Sequence, residues 1–138
     1  MLISSKGTYA IRVLIDMATN NGNEKIISIS EISNRLNISR KYLESIMTLL
    51  SKNGIIDVAY GKNGGYRLNR LPEEYNLLVI LHTTEDDLAP VLCQKKDYEP
   101  CTNKENCSVH KTCEELHDLI NNFLLHKTIK DLMENTCK

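Results

Sequence analysis

Apolar residues recur at helical spacing in three successive segments of the first half of the chain. The segments cover residues 5–18, 29–36 and 40–52, and the first carries the i, i+3, i+4, i+7 pattern of an amphipathic helix. Ser28 and Ser39 directly precede the second and third segments, where a side-chain oxygen caps the free N–H groups of a helix. The pattern predicts three helices, the last two joined by the short turn of a helix-turn-helix.

Beyond residue 54 the apolar period becomes strand-like. Residues 55–60 are rich in β-branched side chains, Gly61–Gly65 reads as a turn that needs positive φ, and residues 66–68 return as a second strand. A basic hairpin directly after a helix-turn-helix is typical of a winged helix. In that fold the second helix of the motif enters the major groove of DNA, and the wing follows the backbone or the minor groove.

Polar side chains on the third helix and the hairpin are therefore candidate contacts to double-stranded DNA. Arg and Lys bind phosphates or guanine edges, and Glu accepts a hydrogen bond from cytosine N4. The candidates are Ser39, Arg40, Lys41, Tyr42, Glu44, Ser45, Lys62 and Arg67. The alternative is that these charges only solvate the outside of a helical domain, and the hairpin in the expected place favours DNA binding.

The second half carries a short and a long helical pattern around an irregular segment. We predict a short helix that begins at Pro72 and packs against the winged helix. Residues 83–109 show no period, and a long helix starts near residue 111. Residues 129–133 either continue that helix or form a second one. The apolar face of the long helix needs a partner. That partner is either a second copy of the chain, which would suit a palindromic DNA site, or the chain's own domain.

The net charge of −1 on 138 residues hides two opposite halves. Residues 1–72 hold ten Lys and Arg against five Asp and Glu, and residues 73–138 hold seven against thirteen. The basic half favours a polyanionic partner. No apolar stretch approaches the roughly 20 residues of a membrane span. Residues 1–6 lack the order of a secretory signal, so we expect a cytoplasmic protein with no membrane partner.

All five cysteines lie in the acidic half. Cys93, Cys101 and Cys107 fall within fifteen residues of the irregular segment, so their thiolates could converge on an iron–sulfur cluster or on zinc. The lack of a Cys-x2-Cys pair counts against the common structural zinc sites. Cys113 and His117, one helical turn apart, could form half of a zinc site, and the alternative that we favour is that they are ordinary helix residues. No arrangement of nucleophile and base predicts catalysis, so we predict that the chain is not an enzyme.

The chain resembles the Rrf2 family of winged-helix transcription regulators. The matching segments are residues 5–10, 38–44, 52–56 and 61–66. The predicted fold is mainly α with a small β-hairpin wing, a winged helix-turn-helix plus a long C-terminal dimerisation helix. We divide the chain into a DNA-binding domain (1–82), a Cys-rich sensor loop (83–110), and a dimerisation helix with a C-terminal tail (111–138).

The resemblance also implies a cofactor. IscR-like members of the family hold an iron–sulfur cluster on a three-Cys loop, for which we expect [2Fe–2S] in preference to [4Fe–4S]. By position the ligands are Cys93, Cys101, Cys107 and His110, and Cys113 is a rival fourth ligand. Glu44 falls where IscR-like members read a base. Tyr60 stands where they carry an arginine in the wing, which makes it a further candidate DNA contact.

We therefore predict a homodimeric DNA-binding transcription regulator, a repressor, that senses redox state, nitric oxide or cluster supply through an iron–sulfur cluster. Two alternatives stay open. The first is a cluster-free regulator that responds to thiols or metabolites and acts with a protein partner, as CymR-like members do. The second is a zinc-stabilised interaction module without a role on DNA.

Overall fold

The computed structural model describes residues 3–97, 99 and 103–135, which form six α-helices and one antiparallel hairpin. The helices are α1 (Ser5–Thr19), α2 (Ile29–Leu36), α3 (Arg40–Lys52), α4 (Leu77–Thr84), α5 (His110–His126) and α6 (Ile129–Glu134). The strands are β1 (Ile56–Ala59) and β2 (Gly65–Leu68). The predicted winged helix with a long helix near the C-terminus is confirmed. Among the described residues no helix is long and apolar enough to cross a bilayer.

Helix α1 is the centre of the hydrophobic core, because it packs against α2, α3, α4 and α6. The face that it buries is the one that the helical spacing predicts, with Ala10, Val13, Leu14 and Met17. A bidentate ion pair adds to this packing: Arg35 Nε lies 2.9 Å from Asp16 Oδ1, and Arg35 Nη2 lies 2.9 Å from Asp16 Oδ2. The pair fastens α2 to α1.

The predicted helix caps are confirmed at both helices of the helix-turn-helix. Ser28 Oγ accepts a hydrogen bond from the backbone N–H of Glu31 at 3.2 Å, and Ser39 Oγ accepts one from the N–H of Tyr42 at 3.3 Å. Each serine satisfies an N–H that has no partner within its helix. The start of α3, which carries most of the candidate DNA contacts, is therefore fixed by its own sequence.

The wing is extended beyond β1 and β2 by a third chain segment. Tyr66 exchanges two backbone hydrogen bonds of 2.8 Å with Ile27, which lies just before α2. The predicted need for positive φ in the turn is confirmed at Gly61, with φ +107. Gly65 is needed for a different reason, since a Cβ there would collide with the carbonyl oxygen of Ile27. It allows the wing to approach the helix-turn-helix closely.

The prediction that an α-helix begins at Pro72 is wrong. Pro72–Glu74 form a single 3-10 turn, and α4 begins only at Leu77. The backbone between them stays extended because it pairs with the distant junction of α5 and α6. Leu77 N–H donates to the carbonyl of Lys127, and Ile129 N–H donates to the carbonyl of Tyr75, both at 2.9 Å. Local sequence carries no sign of this pairing.

Residues after α5 form a separate short helix, which resolves the open alternative for residues 129–133. Thr128 caps α6 and forms a capping box with Asp131, whose pKa is lowered chiefly by the Thr128 N–H. Helix α6 packs against α1, and Ile129 is fully buried. The C-terminal region therefore contributes to the same core as the winged helix.

Tyr75 provides a test of this packing. Its hydroxyl donates to the Ile55 carbonyl at 2.8 Å and accepts from the Asn69 N–H at 3.1 Å, and burial raises its pKa.

Tyr75→Phe leaves both backbone groups without their partner, so we expect the free energy of unfolding to fall by about 1–3 kcal/mol. Urea denaturation at fixed protein concentration measures it. Tyr60→Phe, at a side chain that is 91% exposed, is the matched control and should unfold like the wild type. Equal stability of both variants would contradict the assigned role of the Tyr75 hydroxyl.

Candidate nucleic-acid interface and cysteine segment

A groove of about 620 Å³ lies between α3 and the wing. Arg40 and Glu44 line it from α3, and Tyr60 and Lys62 line it from the hairpin. The structure therefore brings four of the predicted DNA-contact residues together. The groove is also lined by four polar residues that were not predicted from the sequence to contact DNA: Ser28, Ser30, Thr48 and Tyr66. Thr48 could have been found, because it continues the four-residue spacing from Arg40 and Glu44 along one face of α3.

The groove combines positive charge with groups that accept hydrogen bonds. Arg40 Nε lies 3.5 Å from Glu44 Oε1, and both side chains are more than half exposed. Such a pair is weak, so both groups are free to exchange partners at little cost. Burial, and then the charge of Glu44, raise the pKa of Tyr66, whose hydroxyl can donate a hydrogen bond. Cations and hydroxyls of this kind suit a phosphate backbone, and the carboxylate suits a base edge.

Four other candidates on α3 lie beside the groove rather than in it. Lys41 and Ser45 are exposed on the next face of the helix. The Ser45 hydroxyl donates to the carbonyl of Tyr42 at 2.6 Å, and the Ser39 hydroxyl is engaged as the helix cap. Tyr42 is half-buried and packs edge-on against Tyr9, with ring centroids 5.6 Å apart. Lys41 is therefore the member of this set whose side chain is exposed and charged.

Arg67 faces away from the α3 groove. It lines a separate cavity of about 370 Å³ that Asn23 and Asp57 also line, and its Nη2 donates to the Asn23 carbonyl at 3.5 Å. Successive residues of a strand point to opposite sides, so Tyr66 faces the groove and Arg67 faces the outer side of the wing. Its contact with DNA stays a prediction for that outer side.

Within the cysteine segment, residues 85–109, Asp87 folds residues 87–96 back on themselves. Its carboxylate accepts hydrogen bonds from the N–H groups of Lys96 and Ala89, both at 2.8 Å. These bonds, with that of Lys96 the larger cause, hold the pKa of Asp87 below its ordinary value. Leu88 and Ala89 are buried. The clamp closes a ten-residue loop, residues 87–96, that presents Cys93.

The described cysteines lie at different depths. Cys93 is exposed on a 3-10 turn, and Cys107 and Cys113 are half-buried, just before α5 and in its first turn. Cys101 and Cys137 lie outside the described residues. Within residues 3–97, 99 and 103–135, no three His, Cys, Asp or Glu side chains come close enough to hold a metal ion.

A cavity of about 510 Å³ brings Cys93 and His110 together. It is lined by Cys93, Gln94, Lys104, His110, Glu114, His117 and Asp118. The side chain of His110 is only 15% exposed, and neither ring nitrogen has hydrogen-bond geometry, although Nε2 lies 3.1 Å from Glu114 Oε1. Both polar atoms of the Gln94 amide are also buried and unbonded.

The Gln94 amide and His110 Nδ1 are unusual, because buried polar groups nearly always have partners. A thiol and an imidazole on one cavity are donors that iron and zinc accept. Cys93 and His110 are therefore two potential donors to a metal-containing group on one cavity. Cys107 and Cys113 do not line it.

The cysteine segment is bonded at its beginning to the first helix. Ser4 caps α1, and both its N–H and its hydroxyl donate to Glu85 Oε1, at 2.9 and 2.7 Å. Gly7 permits this contact, since a Cβ there would collide with the same carboxylate oxygen. The beginning of the segment is therefore bonded directly to the cap of α1.

Comparison with known proteins gives consistent matches over almost the whole chain. Residues 3–135 match the model of the Rrf2 family, described as an iron-dependent transcriptional regulator. The HTH-type transcriptional regulator IscR of Pectobacterium carotovorum subsp. carotovorum is 30% identical over 135 residues, which cover 98% of this chain and 80% of that protein.

Two solved structures are similar in fold. CymR, the global cysteine regulator of B. subtilis, superposes with a TM-score of 0.76 at 25% identity and covers 99% of both chains. IscR of T. potens superposes with a TM-score of 0.73 at 26% identity, over 98% of this chain and 88% of that one.

The Asp87 clamp generates a prediction about local opening. Asp87→Ala removes the acceptor for two N–H groups, so hydrogen exchange at Lys96 and Ala89 should accelerate by roughly 10- to 100-fold. Because the pKa of Asp87 is lowered, the clamp persists above about pH 4 and is lost only as the pH falls through that lowered pKa. Site-resolved exchange measures it. Asp86→Ala, at the exposed neighbouring acid, is the control, and equal exchange in the two variants would refute the clamp.

Proposed function

The chain belongs to the Rrf2 family of DNA-binding transcription regulators, and we propose that it is a homodimeric repressor with an iron–sulfur cluster on its cysteine segment. One observation carries the DNA-binding part of the proposal. Arg40 and Glu44 from α3 and Tyr60 and Lys62 from the wing line a single groove. This is the arrangement that a winged helix needs to hold one DNA strand between its helix and its wing.

In the proposed complex, α3 enters the major groove of double-stranded DNA. Glu44 accepts a hydrogen bond from a cytosine amino group, and Arg40 turns to a guanine edge or a phosphate. The exposed Arg40–Glu44 pair opens for this purpose, and its weakness keeps the cost low. Lys41 and Lys62 bind phosphates on the two sides of α3.

The outer face of α5 supports the homodimer. Leu116, Leu119 and Phe123 are large apolar side chains on one side of the helix, and Leu119 and Phe123 are 66% and 59% exposed. Ile120 and Leu124 point inward to the core. A second copy that covers this face would place two α3 helices on the two half-sites of a palindromic operator.

The proposed cluster ligands are Cys93, Cys101, Cys107 and His110, with Cys113 as the rival fourth ligand. The unbonded His110 ring on the cavity that Cys93 lines supports a metal-containing group there. The start of α5 has no side-chain cap, and the N-terminus of a helix favours negative charge. A [2Fe–2S] cluster, when bound, supplies a centre that changes charge on reduction and reacts with nitric oxide. Zinc at the same donors is the alternative metal.

A second candidate function is a cluster-free regulator that responds to thiols or metabolites and acts with a protein partner. The similarity to the structure of CymR, a cysteine regulator, favours it. The exposure of Cys93 also fits a thiol that reacts directly.

Removal of two cations at the start of α3 tests the DNA interface. Arg40→Ala with Lys41→Ala should weaken binding to a duplex selected by the wild-type protein by roughly 10- to 100-fold. The slope of log affinity against log salt should fall by about 1–2, because fewer counterions are released. Fluorescence anisotropy over a salt series measures both. Lys111→Ala with Lys130→Ala removes the same charge from exposed positions on α5 and α6 and should change neither. Unchanged binding by the α3 variant would remove α3 from the interface.

The dimer is tested on α5. Leu119→Glu places a charge on the apolar face, so we expect sedimentation of a monomer in place of a dimer. Leu125→Glu is the matched control, because Leu125 is 47% exposed and lies about 200° around the helix from Phe123. A dimer that persists in the Leu119 variant would place the interface elsewhere.

Protein purified without oxygen tests the cluster. We expect visible absorption together with iron and acid-labile sulfide, lost in Cys93→Ser and Cys107→Ser and retained in Cys137→Ser. Comparison of His110→Ala with Cys113→Ser then identifies the fourth ligand. Absence of iron and sulfide from a protein that still binds DNA would support the cluster-free candidate.

A further inference from the structure

The Gln94 side chain carries a buried carboxamide whose oxygen and nitrogen both lack a hydrogen bond within the described part of the chain. Native proteins rarely leave a buried donor and a buried acceptor unpaired, because neither then regains the bond that it made to water. The metal-containing group proposed for Cys93 and His110 gives the imidazole a partner. It leaves the Gln94 amide to be explained.

A second and smaller cavity, of about 190 Å³, shares Gln94 and His117 with the cavity that Cys93 lines. It lies between the last turn of α4, the 87–96 loop and α5, and neither Cys93 nor His110 lines it. Sites for drug-sized ligands have roughly 300–1,000 Å³, so this cavity is too small for a nucleotide or a flavin. Its occupant is therefore a small molecule, distinct from the proposed metal-containing group.

The wall that α5 contributes is separate from the apolar face proposed for the dimer. His117 and Asn121 line the cavity and lie four positions apart, on one face of the helix. Leu119 and Phe123 each follow two residues later, about 200° further around α5. A second copy that covers the apolar face therefore leaves this cavity accessible.

The unpaired amide determines the chemistry of the occupant. Either orientation of the Gln94 amide presents one donor and one acceptor side by side. The matching ligand carries an acceptor and a donor on neighbouring carbon atoms, as the carboxylate and the ammonium group of an α-amino acid do. The cavity also offers both countercharges, since Lys96, Asp86 and Asp87 line it. A simple anion or a simple cation would satisfy only one half of this lining.

We propose that this cavity binds a small α-amino acid, whose carboxylate accepts from the Gln94 amide nitrogen and whose ammonium group donates to the amide oxygen. Lys96 and Asp86 are the respective counterions. The occupied cavity joins the 87–96 loop to α5, so the amino acid stabilises the closed form of the loop that presents Cys93. This inference goes beyond the proposed action on DNA and requires neither DNA nor an iron–sulfur cluster.

Calorimetric titration of the full-length protein with glycine, L-alanine and L-serine tests the site. We expect at least one of them to bind with a Kd below about 1 mM, a modest affinity because so small a ligand has few contacts. The matched acids without an amino group (acetate, propionate, 3-hydroxypropionate) and the matched amines without a carboxylate (methylamine, ethylamine, ethanolamine) should bind at least about 10-fold more weakly. If no amino acid reaches that affinity, or if a matched acid or amine binds equally well, the proposal is wrong.

Variants separate this site from the metal-containing group. Gln94→Leu should weaken binding of the amino acid by about 10-fold or more, and it should fold as well as the wild type because it removes an unpaired buried amide. Asn122→Leu makes the same change at an exposed position of α5 and should bind like the wild type. Cys93→Ser should also keep the affinity, since Cys93 does not line this cavity, although it should lose the cluster. Unchanged binding by Gln94→Leu would overturn the proposal and leave the proposed function intact.

Hydrogen exchange locates the bound amino acid. The N–H groups of Ala89 and Lys96 donate to Asp87, on the wall of the cavity. The amino acid at ten times its Kd should slow their exchange by about 10-fold, because opening of the loop releases it. The Gly64 N–H, in the turn of the wing, is the control and should exchange as before. Unchanged exchange at both loop positions under saturation would place the amino acid elsewhere and refute this site.

Discussion

Helix α4 packs between α1 and α5. The hydrogen bonds at the two ends of this short helix determine how the cysteine segment and the C-terminal helices lie against the winged helix. At its beginning, backbone hydrogen bonds join Tyr75 and Leu77 to the junction of α5 and α6. Just after its end, Glu85 is bonded to the cap of α1. Helix α1 also packs against α2 and α3. The cysteine segment and the DNA-facing helices therefore both contact α1. A change in residues 85–109 therefore has a short physical route to α3.

Local features of the fold could be predicted from the sequence because they depend on neighbouring residues. The caps at Ser28 and Ser39 and the buried face of α1 are of this kind. The start of α4 could not be predicted, because the extended backbone before it is stabilised by hydrogen bonds to residues about fifty positions away. The need for Gly65 could not be predicted for the same reason, because the carbonyl of the distant Ile27 is what excludes a Cβ there.

In the candidate sites too, some features follow from the local sequence and others depend on how distant segments pack together. The sequence identified residue types suited to DNA but not which of them share the groove, because that depends on where the wing lies against α3. Arg67 faces the outer side although its neighbour Tyr66 faces inward. In the cysteine segment, spacing drew attention to the thiols. The orphaned Gln94 amide and the pairing of Cys93 with His110 on one cavity arise only when residues 85–97 fold against α5.

We propose that the state of the cysteine segment changes how the groove binds DNA. Anaerobic titration of one selected duplex with reconstituted and with cluster-free protein tests it most directly. A ligand shifts such an equilibrium only as far as it prefers one state over the other, and couplings of this kind commonly change affinity by on the order of 10-fold. We expect the two forms to differ by at least that factor or to select different sequences. Identical affinity and identical sequence preference in both forms would contradict the account.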